Sequence, residues 1–128
     1  MSAIPMRIPI RFDPAYRVLS SALFISPEDS YLEFQDDQVN VRMAWAFRAR
    51  FPRSAVASTA MGGFRPFSRG VHGIAGRWLV NGSGQGIVVI DLEPSRHARV
   101  LGFKVKLRQL MVSVDEPERL IAALKKAP

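Results

Sequence analysis

Hydrophobic and polar positions alternate with a period of two through most of this chain, and that period predicts a mainly β protein. Residues 6–12 open the pattern, with Ile8, Ile10 and Phe12 on one side and Arg7, Pro9 and Arg11 on the other. The enclosed proline marks an edge strand. Asp13 and Pro14 then supply a helix start, an N-cap followed by proline at the first helical position. Tyr16, Leu19, Leu23 and Phe24 are spaced as the core-facing side of a short N-terminal helix that ends before Pro27.

From Ser30 the two-residue period returns. Leu32 and Phe34 alternate with Tyr31, Glu33 and Gln35, and Asp36-Asp37 makes a turn. Val39, Val41, Met43, Trp45 and Phe47 then hold one face opposite Asn40, Arg42, Ala44, Ala46 and Arg48. This reads as a hairpin whose second strand runs unbroken to residue 48, with Trp45 buried. A short strand is expected over residues 55–59. Residues 60–76 form a loose connection, broken by Gly62, Gly63, Pro66, Gly70, Gly73 and Gly76. Residues 78–80, starting at a buried Trp78, and residues 86–92 read as two strands joined through the hairpin loop Asn81-Gly82-Ser83-Gly84-Gln85. Phe103, Val105 and Leu107 alternate with Lys104, Lys106 and Arg108, and Leu110, Val112 and Val114 continue the rhythm. Asp115 and Glu118 in capping-box spacing, the stripe Leu120, Ile121 and Leu124, and Lys125-Lys126 at the end predict a C-terminal helix. No repeat or linker interrupts the pattern, so residues 1–128 are expected to form a single domain.

Composition adds two constraints. The 128 residues contain no cysteine, which removes disulfides, thiolate metal sites and thiol nucleophiles and favours a reducing compartment. No segment approaches the roughly 20 apolar residues of a membrane span, and Pro5, Arg7, Pro9 and Arg11 interrupt any signal-peptide core. A cytoplasmic place is therefore expected, with a peripheral one at the inner face of the membrane as the alternative.

Catalytic constellations are missing. His72 and His97 are read as lying in different loops, without the three or four convergent ligands that a metal needs. No serine sits in a G-x-S-x-G elbow. The glycine run around Ser83 leads into a β-branched strand rather than the helix that a phosphate loop requires. Asp91, at the end of an apolar strand, is expected to pair with an arginine. Neither catalytic residues, a metal nor a cofactor is read from this chain.

The positive charge is the most informative chemistry. Net charge is +7, and no acidic residue occurs between Gln38 and Ile90, where Arg42, Arg48, Arg50, Arg53, Arg65, Arg69 and Arg77 stand. Arg96, Arg99, Lys104, Lys106 and Arg108 make a second basic group. If the strands bearing Arg42, Arg48 and Lys104 share a sheet, the fold carries a basic surface. The bland explanations are a solvated outer face and an arginine-biased genome. Aromatic residues lie on the apolar faces, which disfavours nucleic acid as a partner.

The hairpin over residues 31–42, the step Phe51-Pro52 within residues 46–54, and the closing strand 110–114 followed by the helix of residues 115–124 resemble bacterial pleckstrin-homology-like domains. The same ending, a strand, then Val-Asp-x-Pro, then a helix, recurs in small actinobacterial proteins of similar length. The resemblance implies a bent β-sandwich or partly open barrel capped by the C-terminal α-helix, to which the N-terminal strand and short helix before residue 30 would be an addition. It also implies a binding platform for lipid headgroups, peptides or other domains, and it assigns no site residue here.

Three functional expectations follow. The first is a non-enzymatic interaction module engaging a protein partner or a second copy of itself. The second is an anionic-lipid or membrane-surface binder using Arg65, Arg69, His72 and Arg77, with Phe64 and Phe67 as apolar wedges. The third is a small apolar-ligand carrier, or an enzyme, with a barrel cavity.

Overall fold

The computed structural model describes residues 6–62 and 70–125. Four of the six candidate contact residues, Phe64, Arg65, Phe67 and Arg69, lie outside the described residues.

The expected β class is what forms, built from β1 (Met6–Pro9), β2 (Ser30–Gln35), β3 (Gln38–Met43), β4 (Phe47–Pro52), β5 (Val56–Met61), β6 (Gly70–Ile74), β7 (Arg77–Asn81), β8 (Ile87–Val100) and β9 (Phe103–Ser113). Helix α1 (Pro14–Ala22) follows β1, and α2 (Pro117–Lys125) ends the described chain. Neither is long and apolar enough to cross a membrane. The strands lie in the order β1-β2-β3-β4-β8-β9-β7-β6, with β5 also on β8, and among the described residues no ladder joins the two ends. The sheet is open.

β8 is the hinge of this arrangement. Before a register shift between Asp91 and Arg96 its neighbour is β5; after it, Ala98, Arg99 and Val100 pair with β4. A bulge bends a strand and increases its twist. Pro94, which cannot donate to a ladder, sits inside that irregularity; the strand expected to stop at residue 92 resumes its pairing at Arg96 and continues to Val100.

Three other expectations are corrected. The strand read as continuous through Trp45 reverses at residues 44–46, with the Ala46 N–H donating to the Met43 carbonyl at 3.0 Å. Trp45 stands on that turn and is 50% exposed, while Trp78 is half-buried. The polar run 81–86 is no hairpin, because β9 lies between β7 and β8 and pairs with β7 in parallel. It is a buried crossover, in which Gly82 approaches so closely that an added Cβ would stand 2.7 Å from both the Arg11 carbonyl oxygen and the Phe12 ring. Finally, only Tyr16 and Ser20 of α1 are buried, and Leu19, Leu23 and Phe24 are exposed.

The core fills the inner face of the sheet. Ile8, Leu32, Val39, Val41, Met43, Phe47 and Phe51 from the first strands meet Val80, Ile90, Leu107 and Leu110. Helix α2 packs on β5 and β8, with Leu120 and Leu124 buried as its stripe predicts. The segment after β1 crosses to the far strands: the Arg11 N–H donates to the Ser113 carbonyl at the end of β9 at 2.8 Å, and the Asp13 N–H to the Gly82 carbonyl just after β7 at 2.8 Å. Phe12 stacks on Tyr16 at 5.7 Å.

Candidate anion-binding groove

Because side chains alternate across a strand, the residues between the inward-facing ones share the opposite face. With Leu32, Val39, Val41, Met43, Phe47 and Phe51 inward, the outer face of β2, β3 and β4 receives Tyr31, Glu33, Asn40, Arg42, Arg48 and Arg50. On β8 and β9 the same parity leaves His97, Arg99, Lys104 and Lys106 exposed. Both histidines thus lie on strands, His72 on β6 and His97 on β8, rather than in the loops expected. An open groove of about 470 Å³ runs over this surface, lined by Tyr31, Glu33, Arg42, Arg48, Arg50, His97, Arg99 and Lys104 among others.

Register turns these residues into a row. Tyr31 faces Arg42, Arg42 faces Arg48, Arg48 faces Arg99, and Arg99 faces Lys104, each directly across one strand pair. Four cations therefore stand side by side, one strand spacing of roughly 4.8 Å apart at the backbone. The guanidinium groups at two of these positions are braced by the adjoining turns: Arg42 Nε donates to the Ala44 carbonyl at 3.4 Å and Arg99 Nη1 to the Gly102 carbonyl at 3.2 Å. Arginine carries five donors in a fixed fork, so each keeps further donors for a ligand.

Glu33 is the only acid among the lining residues. It accepts the Arg7 Nε–H at 2.6 Å, a contact that holds the Arg7 guanidinium above its ordinary pKa. The same guanidinium lies 4.3 Å above the Tyr31 ring. Glu33 and Tyr31 are thereby engaged with the edge strand and do not neutralise the row.

Asp91 belongs to a separate cluster. It accepts hydrogen bonds from Gln109 at 2.8 Å and from the Ser58 hydroxyl at 2.7 Å, and these hold its carboxyl below the usual carboxylate range. Arg77 and Arg108 add smaller contributions. The arginine pairing expected from sequence is thus secondary to two neutral donors.

Of the candidate contact residues within the described chain, His72 and Arg77 are exposed on β6 and β7. Those strands form the opposite end of the strand order from β2, β3 and β4, so neither residue lines the groove. The residues missed as a site are Arg42, Arg48, Arg99 and Lys104: the outward parity of Arg42, Arg48 and Lys104 was visible, but neither their register nor the strand that carries Arg99 was. Compared in turn with family models, with curated proteins and with solved structures, the chain matches none of them.

Proposed function

We propose that this protein is a non-enzymatic binding module whose working surface is the outer groove, and that its ligand presents closely spaced anionic groups of the phosphate class. The row Arg42, Arg48, Arg99, Lys104 carries this reading. Like charges directly opposite one another destabilise a sheet by a few tenths to about 1 kcal/mol per pair. A face that served only solubility would gain as much from alternating signs without that cost. A bound anion turns each repulsion into a charge-assisted contact, and the arginine fork matches two phosphate oxygens at once.

The other classes fit less well. Single-stranded nucleic acid needs aromatic platforms, and among the described residues lining the groove the aromatic one, Tyr31, is covered by Arg7. An apolar ligand needs a cavity that encloses it, and this groove is open and carries Arg42, Arg48, Arg50, Arg99 and Lys104 along it. A protein partner, the first expectation from the sequence, gains nothing from the groove beyond charge. The pleckstrin-homology-like reading is part of the proposal. It is supported by the bent, largely antiparallel sheet and by the C-terminal helix packed on it, while the parallel β7–β9 pair is not something the resemblance implied.

Calorimetric titration with inorganic tripolyphosphate at low salt tests the reading. Saturable binding is expected, weakening as salt rises. The double variant Arg48→Gln, Arg99→Gln should lose about tenfold or more in affinity, since hydrogen bonds to charged groups contribute about 1.5–3 kcal/mol each. His72→Gln with Arg77→Gln should change little. Full affinity in the first variant, or a loss confined to the second, places the site elsewhere.

A further inference from the structure

Exposed apolar side chains gather at one end of the strands that carry the cation row. Phe24, two residues beyond α1, is 84% exposed, Phe103 is 74% exposed, and Leu23, Trp45 and Leu101 are about half exposed. They come from separate parts of the chain but are stitched together. Trp45 Nε1 donates to the Leu23 carbonyl at 2.8 Å, and the Leu101 N–H donates to the Ala46 carbonyl at 3.0 Å. Phe103 continues an inner-face row that begins at Met43 and Phe47, both fully buried, and passes through half-buried Val100. At this end the core emerges into solvent.

The turn chemistry is also unusual. Leu101 and Gly102 both have positive φ, 52° and 85°, as in a type I′ hairpin. The first position of that turn favours Asn, Asp or Gly. A large exposed leucine there serves neither the turn nor solubility.

The geometry points to an anionic phospholipid bilayer as the occupant of this end. Leu23, Phe24, Trp45, Leu101 and Phe103 enter the headgroup–acyl boundary, and Arg42, Arg48, Arg99 and Lys104 meet the lipid phosphates behind them. This assignment rests on the anion-binding reading of the groove and names the source of its anions. Spacing supports it. Trp45 precedes Arg48 by three residues and Leu101 follows Arg99 by two, so the cations trail the tips by about 7–10 Å at 3.3 Å per strand residue. An interfacial element buries its apolar side about 5–10 Å into the boundary. Charge argues against the other obvious occupant, since a two-fold dimer through this end brings two rows of cations toward each other. The acids nearest in the chain, Glu28 and Asp29, lie on the single helical turn before β2, where Asp29 accepts the Ser26 hydroxyl at 3.0 Å.

The test uses the full chain in a Trp78→Phe background, so that Trp45 is the one indole. Sedimentation with mixed phosphatidylcholine–phosphatidylglycerol vesicles should capture the protein, pure phosphatidylcholine should not, and Trp45 emission should shift to the blue on capture. Leu101→Asn suits the turn and keeps the fold, yet it should weaken vesicle binding about tenfold, the worth of one buried leucine side chain. Its affinity for tripolyphosphate should be unchanged. Capture unaffected by Leu101→Asn and Phe24→Asn, or capture without a shift in Trp45 emission, overturns the assignment and leaves the groove intact. A concentration-dependent dimer that Leu101→Asn dissolves overturns it in favour of a second copy. Loss of tripolyphosphate binding in the wild type is a failure of the groove reading itself.

Discussion

Arg48 stands directly opposite Arg99 across the β4–β8 pair and directly opposite Arg42 across the β3–β4 pair. A cation placed between two cations is a local cost that the rest of the fold must offset. Replacing Arg48 with Gln should therefore leave stability unchanged or raise it by up to about 1 kcal/mol, while binding of anions weakens. Denaturant titration of the variant beside the wild type measures this, and a marked destabilisation would show that Arg48 is held by native contacts instead.

Salt should act in the same direction. The Debye length falls from about 30 Å at 0.01 M to about 10 Å at 0.1 M ionic strength, so added sodium chloride screens the row. The melting temperature should rise over this range in the wild type, and rise less in the Arg48→Gln, Arg99→Gln variant. Scanning calorimetry at several chloride concentrations gives the comparison.

The core end of the fold makes a different prediction. Leu120 is fully buried in α2 and Leu124 almost so, against β5 and β8. Leu120→Ala should cost roughly 2–5 kcal/mol. Removing the helix after residue 114 should abolish cooperative unfolding, seen as loss of the thermal transition.

At the buried crossover, Gly82→Ala should be costly because the new methyl would collide with the Arg11 carbonyl oxygen and the Phe12 ring, both 2.7 Å away. The Arg11 backbone is pinned by its own hydrogen bond to Ser113, so it has little room to yield. Overpacking of this kind costs about 1–3 kcal/mol, readable as a lower urea midpoint with an unchanged slope.

Asp91 gives a pH dependence. Hydrogen bonds from Gln109 and Ser58 hold its folded-state pKa below the ordinary value. A depressed carboxyl contributes stability that is present above its unfolded pKa of about 3.9 and is lost as pH falls through the folded value. Wild type should therefore lose stability on acidification below about pH 4 more steeply than Asp91→Asn, as urea midpoints across acidic buffers would reveal.

Much of this architecture is legible in the residue pattern. The β2–β3 hairpin, the α2 stripe and the outward parity of Arg42, Arg48, Lys104 and Lys106 all follow from local period. What fails is informative. Trp45 reads as core because the β3–β4 connection has three residues, so Met43 and Phe47 keep the same parity and the two-residue rhythm passes through the turn unbroken. Ala44-Trp45-Ala46 also contains no glycine, proline or asparagine to announce a reversal; Ala44 takes a φ of 45° with its N–H donating to the Asp29 carbonyl at 2.9 Å. The cation row is hidden for another reason. It depends on β4 finding β8, some fifty residues away, with Arg48 in register with Arg99, and no local signal encodes that pairing. The crossover at 81–86 has the composition of a hairpin loop, and only the placing of β9 between its flanking strands shows otherwise.

Anion binding by the outer face of β3, β4, β8 and β9 is the proposal on which the other functional predictions depend. Heteronuclear NMR titration of the full chain with tripolyphosphate at low salt tests it most directly. Saturable amide shifts are expected, concentrated around Arg42, Arg48, Arg99 and Lys104, with the turns at Ala44 and Gly102 moving alongside. Shifts centred instead on His72 and Arg77, or spread evenly over the basic surface without saturation, would contradict it.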